Sequence, residues 1–258
     1  MAEAFVAAGM RVVLADTEPA ALHDTTMQLR EKGADVHPAV TDVSQAGDVA
    51  ALAEAALQKY GAVHVLCNNA GVYTGSRPSW ESTLDDRSWI IGVNLMGVVY
   101  GIRTVLPIMI EQGDDAHIVN TASIAGLITG GSLYGVTKSA VVALSETVYL
   151  ELVSGGYKPR ISVFCPGLVN TNIFDSERNR PARFADAGPR PKGWSRDAAR
   201  EAFKLRLDPR AAAEQVLRGI REQRFHIFTG SGFAEHIQHR ASQIINGENP
   251  AMLPLVAN

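Results

Sequence analysis

Tyr134 and Lys138 stand four residues apart in the segment Leu133-Tyr134-Gly135-Val136-Thr137-Lys138, a spacing that puts both on one face of a helix. A phenol titrates at about 10 and is a poor base at neutral pH. An ammonium group close by stabilises the phenolate and turns the tyrosine into a usable proton shuttle. By itself the pair carries little, because chains with several tyrosines and lysines meet this spacing by chance. Ser123 strengthens it. This serine follows the apolar run His117–Thr121, at the carboxyl end of a predicted strand, where open α/β sheets place their sites. A hydroxyl there can hold a substrate oxygen while the tyrosine exchanges a proton with it. Asn94 sits among Ile90, Ile91, Val93, Leu95 and Met96. Asparagine is a poor residue inside a helix and a buried amide needs partners, so a structural polar network accounts for it as well as catalysis does.

A second set of residues could receive a ligand. Asn68-Asn69-Ala70-Gly71 and Cys165-Pro166-Gly167 each follow an apolar run, and their small residues let a turn come close to a bound molecule. Asp16 ends the first strand-like run; a carboxylate there accepts hydrogen bonds from a ribose 2′-hydroxyl and repels a 2′-phosphate. Asp42-Val43, after the second run, could flank an adenine ring. Each of these, taken singly, reads as a turn or a cap.

The elements that must position these residues follow from the pattern. Short apolar runs at Arg11–Asp16, Val36–Val40, His64–Asn68, His117–Thr121, Ile161–Cys165 and Phe225–Thr229 are mostly continuous rather than alternating, as in parallel strands covered on both faces. Helical stretches lie between them: Pro19 to Gly33, Ser44 to Gly61, roughly Asp86 to Glu111, roughly Ser132 to Val153, and one opened by Asp208-Pro209 as N-cap and first turn. This repetition predicts one domain, residues 1–258, with a doubly wound parallel sheet. The stretch 175–208, rich in proline and arginine (Arg178, Arg180, Arg183, Arg190, Lys192, Arg196, Arg200), departs from the pattern and reads as a loop or lid over a site. Its charge is that of a solvated face, or of a site for an anionic substrate group.

With 258 residues, 46% apolar and 20% charged, the chain is ordinary for a globular protein and not disordered. A net charge of −3 gives no general pull toward nucleic acid or anionic membrane. Cys67 and Cys165, in apolar runs, read as reduced buried thiols of a cytoplasmic protein. No uninterrupted apolar run matches a membrane span, and no signal peptide opens the sequence. His236 and His239 are three apart without a further ligand to suggest a metal site.

Taken together, Asp16, Asp42, Asn68 to Gly71, Asn94, Ser123, Tyr134, Lys138 and Pro166-Gly167 resemble the short-chain dehydrogenase/reductase family, from residue 1 to about residue 170 and less distinctly beyond. The resemblance implies a Rossmann-like fold and a catalytic tetrad of Asn94, Ser123, Tyr134 and Lys138. Tyr134 would be the general acid/base, Ser123 would orient the carbonyl or alcohol, and Lys138 would bind the nicotinamide ribose and lower the tyrosine pKa. Asn94 would anchor a proton-relay water. The cofactor would be NAD rather than NADP, held by Asp16, Asp42, Val43, Asn68, Ala70, Gly71, Tyr134, Lys138, Pro166, Gly167, Val169 and Thr171. The reaction would interconvert a secondary alcohol and a ketone. Ser123, Tyr134, Leu127, Leu168, Phe174 and Tyr73 would line the substrate side, which favours a hydrophobic substrate. The family also implies a homodimer or homotetramer.

One family element is unmatched: a first strand and a glycine-rich TGxxxGxG turn should precede the helix that Met1 to Gly9 finishes. The expectation is that Met1 is an internal methionine of a longer native chain. A real truncation is the other reading, in which two neighbouring strands lose their partner and expose apolar edges. It also motivates the alternative function, a non-catalytic or cofactor-free scaffold protein of the same fold. A cofactor-free dehalogenase is disfavoured, since those resemble this fold but carry arginine where Lys138 stands. The 11-residue spacing from Ser123 to Tyr134 is short for the family and leaves the shape of that loop open.

Overall fold

Valine, isoleucine and leucine dominate the strand segments because branched side chains pack well on a pleated surface. In the computed structural model, which describes residues 1–75, 77–130, 132–186, 206–230 and 232–253, six strands form: β1 (Val12–Asp16), β2 (Val36–Val40), β3 (Val65–Asn68), β4 (His117–Thr121), β5 (Arg160–Cys165) and β6 (His226–Phe228). All pairings are parallel. The helices are α1 (Ala2–Ala7), α2 (Pro19–Glu31), α3 (Ala46–Tyr60), α4 (Leu84–Ile91), α5 (Gly97–Gln112), α6 (Ser132–Ser154), α7 (Pro209–Arg221) and α8 (Ala234–Asn246). This is the Rossmann-like alternation read from the sequence, with helices on both faces.

The strands do not form one ladder. β1 pairs with β2, and β3-β4-β5-β6 form a separate sheet. The consequence is visible in burial: β4, paired on both sides, is buried from His117 to Asn120, whereas all four residues of β3 are only half-buried. A deep cleft separates β1 from β3. Helix α1 straddles it: Phe5 packs with Val119, Phe164, Val216 and Ile227, while Ala2 and Val6 pack against the Leu14, Leu22, Leu29 and Val36 cluster of the β1–α2–β2 unit.

The central core lies on the other face of the larger sheet, where Ile118, Ile161 and Val163 meet Val98, Ile102, Val105 and Met109 of α5 and Val141, Val148 and Leu152 of α6. Residues 84–112 form one continuous helical run, long and apolar enough to cross a membrane by length and composition. Its Val98, Ile102, Val105 and Met109 stripe is buried here against the sheet.

One helix start differs from expectation. Ser44 does not cap α3: its hydroxyl donates to Asp42 Oδ1 at 2.6 Å, and Gln45 takes the cap position without a side-chain bond. The expected helix from Asp86 to Glu111 forms within the continuous run 84–112, which carries a wide π turn, Gly92–Met96, between α4 and α5. Asp208 does cap α7, accepting from the Arg210 N–H at 2.6 Å.

His117, 5% exposed, shares a 2.6 Å hydrogen bond between Nε2 and Ser162 Oγ. Burial, and then the charge of Arg160, push its pKa down to about 4. The folded protein therefore keeps it neutral where the unfolded chain takes up a proton. Its contribution is complete above about pH 6.5 and is lost as pH falls toward about 4, roughly 3 kcal/mol in all. Urea unfolding over this range is expected to give a steeper loss of stability for the wild type than for His117→Gln; equal slopes would mean the acid transition lies elsewhere.

Candidate active site

Strand β4 delivers its chain to Ser123, where a tight turn (Ile124–Gly126) begins, with Ser123 Oγ accepting from the Ala125 N–H at 3.2 Å. The turn then lies directly on α6. A Cβ at Gly126 would sit 2.7 Å from the backbone carbonyl of Lys138, so only glycine allows this approach. The close contact packs the short loop on α6 and sets Ser123 and Tyr134 on the same cleft. Tyr134 is raised above its ordinary value by burial, with the Ser123 hydroxyl pulling it down and Tyr73 pushing it up.

Lys138, one turn along α6, is 2% exposed and its Nζ donates to the Thr121 carbonyl at 2.7 Å. Nζ lies 5.6 Å from the Tyr134 ring centroid. Burial lowers the lysine to about 8. In this geometry burial is the largest influence on the Tyr134 pKa. Among the described residues, two of the three Nζ donors have no protein acceptor, and Nζ sits 3.6 Å from where a side chain at Gly71 would begin.

Asn94 occupies the π turn and is fully buried. Its Oδ1 accepts from the Val72 N–H at 2.8 Å, and its Nδ2 donates to the Val72 carbonyl at 3.0 Å and to Thr137 Oγ1 at 3.2 Å. The side chain thus clamps the segment after β3 to α6, which is the structural network weighed from the sequence, and it lies next to Gly71 and Lys138. Thr137, which takes part, carried no signal of its own in the sequence.

The remaining predicted ligand residues fall mostly along the cleft, whose volume is about 1700 Å³. That exceeds an ordinary small-molecule pocket of roughly 300–1,000 Å³, because the cleft continues into the gap between β1 and β3. Asp16, Asp42, Val43, Ala70, Gly71, Pro166, Gly167, Val169 and Thr171 all line it. Asp16 Oδ1 accepts from the Glu18 N–H at 2.9 Å. Gly167 N–H donates to Thr229 Oγ1 at 3.0 Å. Asn68 lines the cleft too, while its amide donates to Asn120 Oδ1 at 2.8 Å and rests on Gly101, where no side chain would fit. Asn120 passes the chain on to Ser145 at 2.9 Å, so the amide of Asn68 ties β3 to β4 and α6.

On the substrate side, Tyr73 meets Tyr134 and Phe174 edge-on, with ring centroids 5.8 and 5.0 Å apart. The stretch 175–208 is described only at 175–186 and 206–208, and Arg190, Lys192, Arg196 and Arg200 lie outside the described residues. Arg178, Arg180 and Arg183 each pair with carboxylates of this chain. Arg178 binds Glu18, Arg180 binds Asp86 and Glu177, and Arg183 binds Asp42. Asp86, fully buried, also takes Arg77, and the Arg180 guanidinium lies 4.5 Å from the Trp89 ring centroid. His236 and His239 lie on α8, and among the described residues no three His, Cys, Asp or Glu side chains converge as a metal site.

The family described as short chain dehydrogenase matches residues 1–182. The chain belongs to that family. Among curated relatives, a dehydrogenase/reductase of CLA biosynthesis from Lactiplantibacillus plantarum is 31% identical over 97% of this chain and 90% of its own length. A C alpha-dehydrogenase from Sphingobium is 29% identical over 96% of this chain and 82% of its own. Among solved structures, a short-chain dehydrogenase/reductase from Burkholderia phymatum in complex with NAD is 40% identical, covers 99% of this chain and 92% of its own, and superposes with a TM-score of 0.92. This short-chain dehydrogenase is accordingly an oxidoreductase with the family's Rossmann-like fold.

Proposed function

We propose that the protein uses NAD to interconvert a secondary alcohol and a ketone, with Tyr134 as general acid/base. The observation that carries this reading is that Ser123 and Tyr134 line one cleft together with the buried Lys138 ammonium. A dinucleotide fits the donors and acceptors present. Asp16 stands at the end of β1 to accept from ribose hydroxyls, and Asp42, whose carboxylate is held by Ser44 and Arg183, stands beyond β2 on the same cleft. Lys138 has unspent donors for a ribose, beside a glycine that leaves room. When bound, the nicotinamide supplies or accepts the hydride.

The chain's own residues do the rest. Ser123 and Tyr134 hold the substrate oxygen between two hydroxyls. In reduction Tyr134 Oη gives its proton to that oxygen, and in oxidation it takes the proton back. Asn94 keeps the Val72 segment fixed against α6, so that the walls of the site do not move during the transfer. The rings of Tyr73 and Phe174 favour a hydrophobic substrate. Val136, Leu150 and Val153, exposed apolar residues of α6, support self-association as a dimer or tetramer. The two unpaired thiols are in keeping with a cytoplasmic location.

The test is a fluorescence titration with NADH and NADPH in parallel, repeated on Asp16→Ala. The wild type is expected to prefer NADH, and the variant to narrow that preference by about tenfold, as expected for removing a charged hydrogen-bond acceptor. Failure of the wild type to bind either nucleotide overturns the cofactor assignment. An unchanged ratio in the variant moves selectivity away from Asp16.

A further inference from the structure

Residues 172–186 leave the end of β5 and cross to the opposite wall of the cleft. Two groups of contacts hold them there. Glu18, two residues beyond Asp16, accepts from Arg178 Nε at 3.1 Å, from Arg178 Nη2 at 2.8 Å and from Asn179 Nδ2 at 2.8 Å. Farther along, Arg183 Nη2 donates to Asp42 Oδ2 at 2.9 Å and to Ser44 Oγ at 3.0 Å. Between them Arg180 is locked to Asp86 at 2.6 Å. The three attachments differ in their access to water. Arg180 and Asp86 are 8% and 1% exposed, whereas Arg178 and Glu18 are 37% and 32%, and Arg183 and Asp42 are 46% and 25%. Half-exposed pairs are weak and open with salt; a buried one stays closed.

We infer that the 172–186 segment is a strap pivoting on the Arg180–Asp86 node, and that the Glu18 and Asp42 ion pairs latch it across the cleft and set how fast NAD leaves. The inference rests on the reading that this cleft takes NAD. Both latch points are on the loops after β1 and β2, the wall that bears Asp16. A dinucleotide reaching from Tyr134 to Asp16 therefore lies beneath the strap and cannot leave sideways while both pairs hold. The Glu18 carboxyl is held below its ordinary value, first by Asn179 and then by Arg178, so this latch stays charged throughout the neutral range.

The experiment is stopped-flow displacement of NADH by excess NAD from the whole chain, on wild type, Glu18→Gln, and Glu18→Gln combined with Arg183→Gln. Each latch lost is expected to speed release roughly fivefold, the size of one half-exposed ion pair. Raising salt from about 50 mM to about 500 mM is expected to speed the wild type toward the double variant and leave the double variant unmoved. A second readout needs no cofactor: trypsin is expected to cut the strap of Glu18→Gln faster than that of the wild type, since every arginine site is retained. NADH release that is equal in all three proteins at every salt concentration overturns the latch and leaves the cofactor reading standing. A wild type that binds no NADH overturns that reading and this proposal together, and equal tryptic rates overturn the latch in either case.

Discussion

Tyr134→Phe is expected to lower kcat for alcohol oxidation or ketone reduction by about 10²- to 10⁴-fold, the usual contribution of a positioned acid or base. NADH binding, followed by fluorescence, is expected to stay within error. The substitution removes one oxygen and leaves the ring contacts with Tyr73 in place, so the loss reports on proton transfer rather than on the shape of the site. Because burial raises the tyrosine, the group is a neutral phenol at pH 7 and is ready to donate. Reduction is then expected to be flat through neutral pH and to fall only at alkaline pH, while oxidation accelerates as pH rises. In the variant both profiles lose these limbs. Turnover within about threefold of the wild type would remove Tyr134 from the reaction.

Asp86→Ala is expected to be the most damaging substitution to stability. The carboxylate is fully buried and neutralises two guanidinium groups, Arg77 at 3.0 Å and Arg180 at 2.6 Å, each 8% exposed. Removing it leaves charges buried with too few partners, which typically costs about 3–5 kcal/mol, a large part of the roughly 5–15 kcal/mol that holds a domain folded. A drop of that size in the free energy of urea unfolding is expected. Asp86→Ala combined with Arg180→Met should recover part of it, because the methionine keeps apolar contact with Trp89 without a charge. A loss below about 1 kcal/mol would mean that Glu177 and water carry the arginines unaided.

Much of this architecture was legible before any coordinates. Each of the six predicted strands forms within a residue or two of its apolar run, because a continuous β-branched run has few other ways to bury itself. Asp208-Pro209 is a helix start by local chemistry alone. Ser123 and Tyr134 both line the cleft. Other features depend on partners far along the chain and left no local trace. Nothing near Asn68 says that its amide will turn to Asn120, because the space for it is made by the missing side chain of Gly101. The Asp86 node joins residues 94 positions apart. The π turn that presents Asn94 is a shift of backbone hydrogen bonds with no composition of its own. The sequence of the lid arginines suggests a solvated or anion-binding face, and only the fold reveals that Arg178, Arg180 and Arg183 answer carboxylates of this same chain.

The separation of β1-β2 from the other four strands has a consequence for cooperativity. Among the described residues no backbone ladder couples the two sheets, and the β1–α2–β2 unit is held by the Leu14, Leu22, Leu29 and Val36 cluster and by the bridging helix α1. Such a unit opens as a foldon of its own, at lower free energy than the β3–β6 core. Native-state hydrogen exchange should therefore divide the amides into two classes along this seam. Asp16 and Asp42 ride on the looser class, Tyr134 and Lys138 on the tighter. A ligand that touches all four welds the foldons together, so that occupancy of the site and the cohesion of the domain rise as one quantity.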